Sequence, residues 1–123
     1  MKILESAENY LETILILKKQ LGEVRSVDIA NYLNFSKPSI SKAMKILRES
    51  GHIVVNESNY ISLTKKGMDI ASKVYDKHYY LTKFFISLGV DENIAKEDAC
   101  KIEHVISEDS YIKIKKYVSE LID

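Results

Sequence analysis

Near the end of the chain, Cys100, Glu103 and His104 stand at positions i, i+3 and i+4. On a helix of 3.6 residues per turn, this spacing gathers a thiol, a carboxylate and an imidazole within about a 100° arc of one face. A divalent transition metal accepts all three donor types. Three ligands from one segment leave coordination positions open. His78, about 25 residues before Glu103, is a fourth candidate, and Asn9 and Glu12 on the polar face of a first helix are two more. Two other readings of the trio stand beside this one. One is a buried cysteine next to a surface Glu–His pair; the other is a Cys–His nucleophile pair, for which the sequence offers no third, orienting residue. His52 has no partner nearby in sequence and reads as structural.

A second chemistry lies earlier. From Ser36 to Arg48 the chain carries Lys37, Lys42, Lys45 and Arg48 and no acid. Ser36, Lys37, Ser39, Ser41, Lys42 and Lys45 fall on the polar face of a helix whose apolar stripe is Ile40, Met44 and Leu47. Hydroxyls at a helix start bond phosphates or base edges, and lysines neutralise a phosphate backbone. The alternative is a solvated basic face that never meets nucleic acid. The acid-free run favours DNA.

These residues need elements to position them. Leu4, Ala7, Leu11, Ile14 and Leu15 recur at helical intervals and predict a helix over about 4–19, ended by Gly22. Ser26 reads as the cap of a short helix, Val27 to Leu33, and Asn34-Phe35 as a tight turn. Ser36 then caps a helix that tolerates Pro38 in its first turn. Helix, turn, basic helix is the helix-turn-helix arrangement, whose second helix fits a major groove. Ile53-Val54-Val55 and Tyr60-Ile61-Ser62-Leu63, parted by Asn56-Glu57-Ser58-Asn59, predict a hairpin that makes it a winged helix. Helical spacing resumes near Thr64 and runs to Leu88; further helices are expected over about 91–106 and 111–122.

Composition narrows the function classes. The 123 residues balance 18 basic against 18 acidic side chains, which argues against indiscriminate polyanion binding. The balance conceals an asymmetry: residues 1–73 hold 11 Lys/Arg and 8 Asp/Glu, and residues 74–123 hold 7 and 10. One cysteine excludes an internal disulfide, and neither a signal-type apolar run nor a membrane-length stretch occurs, so a cytoplasmic location is expected. The implied architecture is mostly α: a winged helix-turn-helix domain over 1–73 and an α-helical metal-binding and dimerisation domain over 74–123. Tyr75, Leu81, Phe84 and Phe85 on the long helix, with Ile114, Val118 and Leu121 on the last, exceed what 50 residues can bury, which points to a two-fold homodimer.

Taken together, Glu8-Asn9-Tyr10-Leu11-Glu12, Ser36-Lys37-Pro38-Ser39-Ile40-Ser41-Lys42, Leu63-Thr64-Lys65-Lys66-Gly67, Leu88-Gly89-Val90-Asp91 and Cys100-Lys101-Ile102-Glu103-His104-Val105-Ile106-Ser107 resemble the DtxR/MntR family of metal-dependent transcriptional repressors. The resemblance covers nearly the whole chain, and Cys-x-x-Glu-His-x-x-Ser after His78 is its most specific element. It implies a non-enzymatic homodimer that binds palindromic operator DNA when loaded with metal. It also implies Cys100, Glu103, His104 and His78 as ligands, with Asn9 and Glu12 at the two first-helix ligand positions. Ser36, Pro38 and Lys42 match positions that touch DNA in iron-type members.

The departures are specific. Asn9 replaces a charged or thioether ligand; Thr82 and Lys96 do not suit the iron-type ancillary site; the chain stops at Asp123, as a short form without an SH3-like domain would. Cys100 stands where manganese-type members carry Glu. A thiolate disfavours Mn(II) relative to Fe(II), so Fe(II) is expected first and Mn(II) second, with other divalent transition metals possible in vitro. Rival functions are a metal-independent winged-helix regulator sensing a small ligand and a Cys100–His104 thiol enzyme.

Overall fold

The computed structural model describes residues 5–122; Leu4, counted above in the first apolar stripe, lies outside them. The chain divides into two compact units, Met1–Ser72 and Lys73–Asp123.

The first unit holds α1 (Glu5–Leu21), α2 (Ser26–Leu33), α3 (Lys37–Glu49), β1 (Ile53–Val55), β2 (Ile61–Leu63) and the opening turns of α4 (Lys65–Ser87). Its core is Leu11, Ile14, Val24, Ile29, Ile40, Met44, Leu47, Ile53 and Ile61, all buried. Each large aliphatic among them contributes about 1.5–3 kcal/mol by leaving water. Chain reversals between the helices follow local chemistry. Gly22 (φ +84°) closes α1 with its N–H on the Lys18 carbonyl, and Asn34 (φ 59°) closes α2 in the left-handed region that Asn tolerates. The α2 start differs from the expectation: Arg25, not Ser26, is the cap, and its N–H is received by the Asp28 carboxylate at 2.9 Å. An acid three residues in thus satisfies the cap residue's own N–H in place of a hydroxyl cap.

β1 and β2 pair antiparallel in the register Ile53↔Leu63, Val54↔Ser62 and Val55↔Ile61. The connecting turn is held by Asn56, whose Oδ1 accepts from Ser58 N and Tyr60 N, both at 2.9 Å. Ile61 N donates to Val24 O at 2.7 Å, tying the hairpin to the segment before α2. This is a winged helix-turn-helix.

Behind the hairpin, Thr64 donates its hydroxyl to Gly51 O (2.7 Å) and receives Gly67 N (3.2 Å). A Cβ at position 67 would collide with the His52 carbonyl oxygen, so this close approach requires glycine. His52 is 4% exposed, with Nδ1 2.7 Å from Ser50 Oγ. Burial first, and the Lys66 ammonium second, hold its imidazole below the ordinary 6.5.

The second unit is helical: the remainder of α4, then α5 (Glu92–Ile102) and α6 (Glu108–Ile122). Asp91 caps α5 by accepting Asn93 N at 3.1 Å. α4 packs on α6 through Phe84 against Tyr117 (5.9 Å between ring centroids), Lys77 over Tyr111 (5.7 Å) and Lys115 over Tyr80 (5.2 Å). Burial, reinforced by Asp76, Tyr80 and Glu108, pushes the Tyr111 phenol up to about 12.

Three expectations for this unit need correction. α5 ends at Ile102 rather than near 106, and α6 begins at Glu108 rather than Tyr111. Ser107 is the reason: its hydroxyl accepts Ser110 N at 3.1 Å and its carbonyl accepts Tyr111 N at 3.0 Å, which starts a new helix three residues early. Of the residues assigned to an apolar surplus, Leu81 and Val118 are buried within the chain and so are not available to a partner copy. Leu121 is exposed, and Tyr75, Phe84, Phe85 and Ile114 are half-buried.

Candidate metal centre and nucleic-acid interface

α3 supplies the first surface. Ser36 caps it, its Oγ receiving Ser39 N at 3.3 Å and donating to the Ser39 hydroxyl oxygen at 2.8 Å. Pro38 sits in the first turn, where its missing N–H breaks no helical bond. Because Ile40, Met44 and Leu47 face inward, Ser36, Lys37, Pro38, Ser39, Ser41, Lys42 and Lys45 are all left exposed. Arg48, part of the basic run but not assigned to the face from sequence, is exposed as well. With Ser26, Ser41, Met44, Lys45 and Val55 it lines a cavity of about 200 Å3 between α3 and β1. The signal for it was periodic: Ser41, Lys45 and Arg48 repeat at i, i+4 and i+7.

The second site gathers where α5 ends. Glu103 is the C-cap of α5, its N–H on Ala99 O at 2.9 Å, and the chain leaves the helix there in a turn through His104 and Val105. The Glu103 carboxylate is buried, 1% exposed. Oε2 lies 3.1 Å from Nδ1 of His78 on α4, and Oε1 lies 3.4 Å from Nε2 of His104. The His104 ring is almost wholly enclosed and that of His78 partly so. Charged residues are rarely enclosed this far without partners, and the Glu103 carboxylate and His78 imidazole place an oxygen and a nitrogen close enough to share a divalent transition metal. The residues fit the group.

The geometry amends the sequence-based picture. Glu103 and His104 belong to a turn and not to a continuing helical face, and burial is uneven across the trio: Cys100 is exposed in the last turn of α5 while Glu103 is enclosed, the reverse of a buried cysteine beside a surface pair. His78, which the one-face argument did not use, stands against the enclosed carboxylate. On α1, Glu12 is buried, and the backbone carbonyl of half-buried Asn9 accepts the Thr13 hydroxyl at 2.8 Å. His52, read as structural, lies in the winged helix under Thr64 and Gly67 as described above.

Residues 2–59 match the family model described as the iron dependent repressor, N-terminal DNA binding domain, and residues 64–121 match the iron dependent repressor, metal binding and dimerisation domain. An HTH-type transcriptional regulator of Methanocaldococcus jannaschii is 32% identical over 121 residues, covering 97% of each chain. The chain belongs to the DtxR/MntR family of metal-dependent transcriptional repressors. The transcriptional regulator MntR of Escherichia coli O6:H1 is 34% identical over 106 residues, 86% of this chain and 68% of that one. Among solved structures, the manganese regulator SloR superposes with a TM-score of 0.80 at 26% identity, covering 92% of this chain and 53% of that chain. IdeR of T. acidophilum gives 0.80 at 23% identity over 97% of this chain and 55% of that one, a likeness of fold. This chain spans about half the length of those two structures. Family membership establishes a DNA-binding regulator with a metal-binding and dimerisation domain. No described helix is long and apolar enough to cross a membrane.

Proposed function

We propose that this chain is a cytoplasmic, non-enzymatic repressor that binds palindromic operator DNA as a homodimer when Fe(II) or Mn(II) is bound at Glu103. The observation that carries the reading is the enclosed Glu103 carboxylate between the His78 and His104 imidazoles. Cys100, Glu12 and Asn9 are the further ligands that the family resemblance assigns. Ser36, Lys37, Pro38, Ser39, Ser41, Lys42 and Lys45 form the DNA face, supported by their exposure on a capped, acid-free helix. Two such helices in a dimer reading a palindrome lie about 34–36 Å apart, or a multiple of that.

A bound divalent cation supplies charge that neutralises the buried carboxylate and directed bonds that fix the ligands in one arrangement. If that arrangement is the DNA-competent one, metal occupancy shifts the population toward it, and a difference of a few kcal/mol changes operator affinity by orders of magnitude. The thiol sets the metal order: Cys100 as thiolate favours Fe(II), with Mn(II) second.

Anisotropy titrations of a labelled family-type palindrome with Fe(II), Mn(II), Zn(II) and chelator test the reading. Metal should tighten binding at least about tenfold, and chelator should reverse it. Equal affinity with and without chelator would replace this reading with a metal-independent regulator. Cys100→Glu should move activation toward Mn(II) and remove the near-ultraviolet thiolate band of a Co(II) derivative. A wild-type Co(II) complex without that band would remove Cys100 from the ligands and leave the other ligand assignments standing.

A further inference from the structure

The exposed cations of α3 do not all point one way: beside Lys42 the helix carries a second cationic line. Lys37, Ser41, Lys45 and Arg48 fall within about 80° of one another around the helix axis, roughly 100° away from Lys42. That line borders the buried stripe and turns toward the hairpin, where Ser41, Lys45 and Arg48 line the cavity with Ser26 and Val55, over Met44. Neither Lys45 nor Arg48 forms an ion pair with a carboxylate among the described residues. A pocket with a cation at the end of α3, a second cation one turn earlier and two hydroxyls, with no acid lining it, selects an anion.

We propose that this cavity seats one backbone phosphate of duplex DNA, with Arg48 as its principal cation and Lys45, Ser41 and Ser26 as supporting donors. The inference rests on the DNA-binding reading and adds to it a clamp outside the base-reading face. A helix lying in a major groove is walled on both flanks by phosphodiester strands. A cationic line on the flank of α3, rather than on its groove-facing crest, therefore meets a strand and not base edges. The guanidinium fork suits two phosphate oxygens at once, and the hydroxyls can complete the oxygen's shell without adding charge.

The test uses metal-loaded full-length protein and two fluorescein-labelled duplexes of roughly 30 base pairs, long enough for two half-sites. One is enriched from a random pool by the wild-type protein; the other is unenriched. Arg48→Ala should weaken both about fivefold to tenfold, leave their ratio unchanged, and flatten the plot of log affinity against log salt by about 0.9 per phosphate released, close to two for a dimer. Arg48→Lys should keep the wild-type slope while losing part of the affinity. An unchanged slope for Arg48→Ala would overturn the phosphate seat. A loss confined to the enriched duplex would overturn it too, by making Arg48 a base reader. If the wild type binds neither duplex under any metal, the DNA-binding reading itself has failed, and that is seen before any variant is compared.

Discussion

α3 and the turn after α5 both carry their chemistry at three- and four-residue spacing, and they use it in opposite ways. On α3 the functional side chains are what the helix leaves outside after Ile40, Met44 and Leu47 have turned in. At the end of α5 the central residue, Glu103, is itself the buried one, and it sits where the helix has already stopped. A surface site is therefore defined by its complement, the apolar stripe. A buried polar site is defined by partners brought from elsewhere in the chain, here His78 from α4. Changes on α3 should be mild and local, whereas changes at Glu103 should be large.

The largest expected effect is at Glu103. Glu103→Gln keeps the size of the side chain but removes the charge that the proposed function uses to hold a cation. Metal affinity should fall at least about a hundredfold, more than loss of an outer-shell partner costs. The rise in melting temperature that ligand binding gives the wild type should disappear with it. Calorimetric titration with Mn(II) and Co(II) reads the affinity, and thermal scans with and without metal read the melting shift. A variant that still binds metal within about tenfold of the wild type would make Glu103 a structural partner of His78 and His104.

A smaller effect is expected at Lys42, because α3 keeps its cap and its buried stripe whatever stands on the crest. Lys42→Ala should leave metal affinity and folding unchanged and lower the salt slope of DNA binding by about one charge per subunit. Intact affinity with an unchanged slope would show that this crest does not face the groove.

The contrast also explains what could be read from the sequence. The winged helix was legible because most of its elements announce their own ends, the α2 start excepted: Gly22, Asn34, Ser36 with Pro38, and the Asn56–Asn59 turn all act within a few residues of themselves. The exposed face of α3 followed from periodicity alone. The Glu103 site was legible as a donor list but not as a geometry. Its shape depends on the break between α5 and α6, whose far side Ser107 sets by starting α6 with Glu108 and Asp109 in the first turn. Serine followed by two acids is a helix-start pattern, so the break was readable in principle. The burial of Glu103 and its pairing with His78 were not, since the two residues lie 25 apart in sequence. The apolar surplus erred for a similar reason: Leu81 and Val118 are as apolar as an interface would need, and only packing shows that they are spent inside the chain.

His52 gives the smallest effect and tests whether the winged helix is as insensitive to buried charge as its exposed face suggests. Its Nε2 is buried with no hydrogen-bond partner among the described residues, and burial, with Lys66 adding, lowers its pKa below 6.5. The neutral ring is thus the folded form. As pH falls through 6.5, the unfolded chain takes up a proton that the folded one refuses, so stability declines, and the decline ends once pH drops below the folded value. His52→Gln removes that component while keeping a polar side chain. Hydrogen exchange at the Thr64 amide, which bonds the His52 carbonyl at 3.1 Å, reports on the same junction. Between about pH 7.5 and 5.5, wild-type protection there should fall more steeply than that of His52→Gln. His78 and His104 lie in the other unit and remain in both proteins, so the difference between the two curves isolates His52. Parallel curves would mean that the buried ring does not couple to proton uptake.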